Sequence, residues 1–294
     1  MLESLINPKK AERKPYEMLF IGILYSSLAV LVADFLFLKN PVFEKHVTLF
    51  IVFFTVLFSL PFFYYLIRLE EQKDEKIKKE SKLLKEHGKA VSALLFLFLG
   101  YLIAFSFLYL VFPRETSNLN FKSQIETYCA VNAQDITSCV NSYTTGNIIG
   151  ITSSTIPTGL TFKDSMLRLS SILSNNFFVL IVTLIFSLIF GAGAIFILTW
   201  NASVIALAIG IFSKNLSSLP LGFLRFMIHG LPEIASYFIV ALAGGIIGSA
   251  VIKHEFNKKK FWHILLDSLD MIILALVVLI VAALIEVFIT PQFF

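Results

Sequence analysis

Eight polar side chains sit at or inside the apolar blocks of the second half of the chain: Asn175, Asn176, Asn201, His229, Glu233, Asp267, Asp270 and Glu286. Burying such groups in hydrocarbon is costly unless they pair or line a wet cavity. Their types define the chemistry they offer. Glu233 and Glu286 can hold a cation or a proton, His229 can titrate near neutral pH, and Asn175, Asn176 and Asn201 can supply neutral ligands. His229 and Glu233 are four residues apart, so on a continuous helix they share a face. Pro232 between them is tolerated in the first turn of a helix, and Gly230 permits an unusual backbone just before it. Glu233 then lies near a helix N-terminus, where negative charge is favoured. This element reads either as a polar site or proton relay, or as a structural cap that orders a junction between broken helices. Glu286 either joins that site or reaches the membrane interface.

Other chemistries find no support. There is no HExxH pattern, and one His with one Glu is too few for a metal site. Ser170, Ser171 and Ser174 near Asn175 have no adjacent base and read as ordinary interfacial serines. No catalytic residue, cofactor or metal is therefore expected, and the chain is not expected to be an enzyme. No basic patch interleaved with aromatics lies on a soluble module, so nucleic acid is not an expected partner. Cys129 and Cys139 share one polar stretch, where an oxidising compartment would favour a disulfide and a reducing one two free thiols.

The elements that must position these residues follow from composition. Of 294 residues, 57% are apolar and 15% charged, and the mean hydropathy is +0.81. Several blocks exceed 18 residues with few or no charges, which excludes an ordinary soluble domain and makes the lipid bilayer the first partner. Exposed backbone in lipid restricts these blocks to helices, so the expected fold is an all-α, polytopic helical membrane protein. Expected spans are 17–38, 47–67 with a kink at Pro61, 90–112, 177–199, a short fifth over 202–217, a sixth reaching 252, and 268–289. The run from Leu19 to Leu38 lacks a small-x-small cleavage site and reads as a retained first span.

Three organisational units result. Residues 1–112 form a three-span segment with a charged linker at 68–89, residues 113–176 a polar region, and residues 177–294 a membrane core. The linker reads as a solvated helical connector, or as a partner-binding helix. Residues 161–174 read as an amphipathic surface helix, and the Gly-, Thr- and Pro-rich piece from Asn147 to Leu160 as a cap, hairpin or re-entrant piece. The N-terminal basic group, the linker and the 253–260 group hold 16 of the 24 Lys and Arg residues. The positive-inside rule places all three in the cytoplasm of a multi-pass cell-membrane protein, with 113–176 external. The block 202–252 then either crosses twice, giving about seven segments, or is re-entrant, giving five full spans. Small residues Gly191, Gly193, Gly230, Gly244 and Gly248 mark packing positions, and Gly244-xxx-Gly248 suits a seam within the chain or between two copies.

The order of elements in this half carries a resemblance. Asn175-Asn176 precedes a span, a Gly/Ala segment follows at 191–194, then Asn201, Gly210, His229-Gly230-x-x-Glu233, a second Gly/Ala segment at 241–248, and Glu286 ahead of Pro291. Over about 165–291 this resembles the stage II sporulation protein M family of bacteria and archaea. The family's pattern often has Asn-Gly at the break and usually Leu after the Glu, where this chain has Asn201-Ala202 and Ile234. The resemblance implies an integral membrane protein that organises or anchors a membrane complex without catalysis, through an unknown protein partner or self-association. The alternative read from the residues is a transporter or permease with its polar site at broken helices over 201–233.

Overall fold

A computed structural model describes residues 7–77, 80–132, 135–145, 162–252 and 259–293. Among the described residues there are eleven α-helices and no strands: α1 (Pro8–Arg13), α2 (Tyr16–Phe37), α3 (Val47–Lys76), α4 (Glu80–Val111), α5 (Arg114–Asn120), α6 (Lys122–Asn132), α7 (Ile136–Thr145), α8 (Phe162–Phe190), α9 (Ala194–Ser213), α10 (Leu219–Ile252) and α11 (Lys259–Leu284). A π-helical turn, Ile285–Ile289, continues α11. Seven of these helices, α2, α3, α4, α8, α9, α10 and α11, are long and apolar enough to cross a membrane. The fold is thus a polytopic helical membrane protein. The 147–160 piece lies outside the described residues, as do Lys253 and Lys258.

Helix α10 is the centre of the bundle. About 72% of its most apolar window is buried, against 22% for α8 and 28% for α11, which leaves those two with wide lipid-facing surfaces. It packs on α11, α8, α9, α3 and α4. Large apolar side chains such as Phe35, Phe178 and Phe190 point outward, as expected where the solvent is hydrocarbon.

Close helix approach depends on glycine at two crossings. A Cβ on Gly244 would lie 2.8 Å from Ser187 Cβ, and one on Gly248 2.6 Å from the Leu188 carbonyl oxygen. The Gly244-xxx-Gly248 seam is therefore filled by α8 of the same chain and is not a free face for a second copy. The tightest crossing, α2 on α4, was not marked in the sequence reading: a Cβ on Gly22 would collide with the Leu97 carbonyl, and one on Gly100 with that of Leu19.

Several expectations are corrected. Helix α8 is continuous from Phe162 to Phe190, so the separate surface helix and a span over 177–199 merge into one shorter-ending element. It stops because Gly191 adopts φ +58°, a conformation costly for any residue with a Cβ. Gly191 thus serves the turn, with nothing within 4 Å of its missing Cβ. Helix α9 accordingly begins at Ala194 rather than 202, and its 20 residues reach about 30 Å, enough for a full crossing. Asn201 marks no break: it lies inside α9, where its side-chain amide donates to the Ile197 carbonyl at 2.8 Å. Pro232, in turn, sits in the interior of α10 rather than in a first turn.

Helices α5, α6 and α7 form a cap at one end of the bundle. Cys129 and Cys139 are joined by a disulfide, with a Cα–Cα distance of 5.8 Å, which clasps α6 to α7. The cap is held down by Gln124, which donates to Ser203 of α9 at 2.9 Å, and by Phe121 packed edge-on to Phe105 and Tyr109.

A polar cluster between three helices

The sequence-marked residues divide into those the fold brings together and those it does not. Asn175 and Asn176 of α8, His229 and Glu233 of α10, and Glu286 and Thr290 at the end of α11 meet in the half of the bundle nearer the cap. From the far end of α8 at Phe190, Asn176 is about 21 Å along the helix. Asn201 stands apart on α9 with its own backbone partner. Gly230 permits no close helix contact, since Met227 Cε at 3.5 Å is the nearest neighbour of its missing Cβ.

Glu233 is the hub. Its Oε1 accepts from the Tyr237 hydroxyl at 3.0 Å, and the Asn176 side chain lies close to the same carboxylate. Asn175 donates its amide to Asn176 Oδ1 at 3.1 Å. That bond occupies the Asn176 oxygen and leaves its NH₂ for Glu233. The three residues thus form a directed chain from the surface of α8 to the carboxylate. Glu286 lies within electrostatic reach of both Glu233 and Arg168 of α8. Arg225 in turn lies within electrostatic reach of His229, so two carboxylates and two guanidiniums border the region and their charges balance when all are ionised.

The helix backbone is irregular at this level on two sides. Pro232 has no N–H, so the Ile228 carbonyl one turn earlier loses its helical partner. Glu286 sits in the π-helical turn Ile285–Ile289, the kind of bulge that often marks a functional site. The Thr290 hydroxyl donates to the Ile285 carbonyl at 3.2 Å, which uses its one hydrogen. His229 Nδ1, 3.2 Å from the Thr290 oxygen, must then be the donor, which fixes the proton on Nδ1. His229 and Glu233 share α10 yet serve different partners: one ties α10 to α11, the other ties it to α8.

A second cluster, at the opposite end of the bundle, was missed by sequence reasoning. The 68–89 run is helical, as expected, but its acidic face is not solvated: Glu70, Glu71, Asp74 and His87 are each at most 2% exposed. His87 Nδ1 is 2.7 Å from Glu70 Oε2, and its Nε2 is 2.9 Å from Asp74 Oδ1. With an oxygen acceptor on each ring nitrogen both must donate, which is the imidazolium form. Lys73 bridges Glu70 at 2.8 Å and Glu12 of α1 at 2.7 Å. Burial and the neighbouring Glu70 push the Glu12 carboxyl up to about 7, outweighing the pull of Lys73. Ser249 of α10 donates to Glu71 at 2.9 Å, so this cluster joins α1, α3, α4 and α10. A signal was present: the buried stripe Phe62, Phe63, Leu66, Ile67 continues with the same helical period through Glu70, Glu71 and Asp74. Among the described residues no group of three or more His, Cys, Asp or Glu is arranged to hold a metal ion.

Fold and clusters together define a seven-helix membrane protein with one polar cluster in the cap half and a buried ion-pair network at the other end. The family model of stage II sporulation protein M matches residues 51–291, and the chain belongs to that family. The match extends well into the first half, beyond the stretch that carried the resemblance in sequence. An uncharacterised protein of Methanocaldococcus jannaschii is 32% identical over 127 residues, covering 42% of this chain and 70% of the relative. No solved structure matches.

Proposed function

We propose that this protein is a multi-pass cell-membrane protein that binds a small cation reversibly at Glu233 and Glu286, in the manner of a transporter or permease. One observation carries this reading: two acidic residues from different helices come within electrostatic reach of each other where both helices have irregular backbone. Carboxylates in a membrane-spanning region face a large cost unless paired or solvated, and two neighbouring carboxylates offset it best by holding a cation or proton. Locally broken helical bonding at a polar site is what intramembrane ion sites use to free carbonyl ligands. The positive-inside rule puts α1 and the Glu70–His87 network in the cytoplasm, the cap outside, and the site in the half nearer the cap.

The test is reconstitution of the full chain into liposomes. Imposed pH or sodium gradients should drive cation movement, and Glu233→Gln and Glu286→Gln should abolish it while the variants remain folded. Flux unchanged in both variants would exclude this site as its path.

A second reading, a non-enzymatic organiser of a membrane complex, is favoured by the cap. Its disulfide-clasped helices border an open groove of about 650 Å³, lined by Glu126, Thr127, Val140, Asn141 and Trp200 among others. In that reading, cap substitutions would disrupt a complex isolated from membranes, whereas Glu233→Gln would leave it intact.

A further inference from the structure

The exposed face of α8 carries an open groove of about 680 Å³ lined by Leu167, Ser170, Ser171, Ser174, Asn175 and Phe178. These residues recur at three- and four-residue spacing and so form one stripe along the helix. Ser170, Ser171, Ser174 and Asn175 are all exposed. Farther along the same face the chemistry changes abruptly to Ile181, Ile185 and Ile189, also exposed. The lower face suits hydrocarbon. The upper face does not, because hydroxyls and an amide turned toward lipid lose their water partners. By helix rise, the polar stretch runs from about 30 Å to about 22 Å above Phe190, in the half of the helix away from it.

The groove ends at the cluster. Asn175 lines it and also donates to Asn176, which in turn lies close to Glu233. Hydroxyl and amide groups thus lead from the groove to a buried carboxylate across one shared side chain.

We propose that the serine groove of α8 is the aqueous entrance through which a small hydrated cation reaches Glu233 and Glu286. This rests on the cation-site reading above and adds its route and its charge selectivity. Neutral oxygens along the groove replace part of a cation's water without binding it tightly, and the two carboxylates behind them set the sign of what enters. An anion or an apolar solute gains nothing from that arrangement.

The chain is suited to the test, because its only two cysteines are both in the disulfide and the native protein has no free thiol. Single variants Ser171→Cys, Ser174→Cys and Ile185→Cys are placed in liposomes and exposed to membrane-impermeant methanethiosulfonates bearing either ammonium or sulfonate groups. A charged reagent pays about 3 kcal/mol to enter hydrocarbon, so Ser174→Cys should react about a hundredfold faster than Ile185→Cys. After correction for intrinsic reactivity, the ammonium reagent should be preferred at Ser174→Cys. That preference should vanish when Glu233→Gln and Glu286→Gln are added. Equal, slow labelling at positions 174 and 185 would overturn the entrance. So would fast labelling whose charge preference ignores the two glutamates, since that is the behaviour of an ordinary interfacial serine. Neither readout requires flux, so a failed entrance and a failed transport function are separable.

Discussion

Asn175 holds Asn176 in place: its amide nitrogen donates to Asn176 Oδ1 at 3.1 Å, which leaves the Asn176 NH₂ free to act on the nearby Glu233. Adjacent residues on a helix point about 100° apart, so such a pair bridges the exposed and buried faces of α8. One asparagine meets the groove and the other meets the carboxylate. Exposure agrees with that division: Asn176 is 6% exposed, whereas Asn175 is among the exposed residues.

The pair predicts an ordered set of stabilities. Asn176→Ala removes a donor from Glu233 and should cost about 1–3 kcal/mol. Asn175→Ala only releases the orientation of its neighbour and should cost about 0.5–1.5 kcal/mol. Asn201→Ala should be close to neutral, because its amide bonds only a carbonyl that already lies within α9. Thermal unfolding of the three variants in detergent gives the order, and an equal loss at all three positions would refute the division between site and bystander.

Glycine substitutions separate turn, seam and spectator. Gly191→Ala has room for its Cβ but must hold φ near +58°, a cost of about 1–2 kcal/mol. Gly248→Ala drives a methyl to 2.6 Å from the Leu188 carbonyl, so α8 and α10 must part and the loss should be larger. Gly230→Ala lies in regular helix with ordinary contact only, and should be neutral or stabilising by up to about 1 kcal/mol. Melting temperatures of the three test this ranking directly.

What the sequence revealed, and what it concealed, follows from how each signal is written. Seven apolar blocks are visible because hydropathy is a local sum, and His229, Glu233 and Glu286 stand out because charge there is expensive. The end of α8 was misplaced because Gly191 and Gly193 look like a packing seam, and only the backbone reveals a positive φ. Asn201 looked like a break because an amide in a span needs a partner, but a partner within its own helix satisfies it. The Glu70–Asp74–His87 network was hidden for the opposite reason. Charges close together in sequence suggest water, and nothing local shows that α1, α4 and α10 enclose them.

Stability should depend on pH through Glu12. Its folded-state value, about 7, lies above the ordinary 4.5, so the folded chain binds more protons than the unfolded chain between those limits. Stability contributed by this group is then fully present below about 4.5, falls as pH rises through the window, and levels off above about 7. Glu12→Gln should flatten that part of the profile. Unfolding followed from pH 4 to pH 8 in both proteins checks it, and parallel profiles would show that Glu12 is not the group responsible.

The buried network predicts a sharper result. His87→Leu leaves Glu70 and Asp74 buried and facing each other without the cation that bridges them, and losing one partner of a buried ion pair costs about 3–5 kcal/mol. Lys73 offsets part of this through Glu70, but no ion pair joins it to Asp74 among the described contacts. Replacing the full set, His87→Leu with Glu70→Gln and Asp74→Leu, removes the uncompensated charge along with the bridge. Such whole-network replacements are often neutral or stabilising. If the triple variant recovers most of the stability lost in the single one, the network acts by charge compensation. If it stays as unstable as the single variant, hydrogen bonds from His87 contribute an orientation between α3 and α4 that apolar packing does not replace. Tight agreement of both variants with the native protein would mean that water reaches these residues, contrary to their burial.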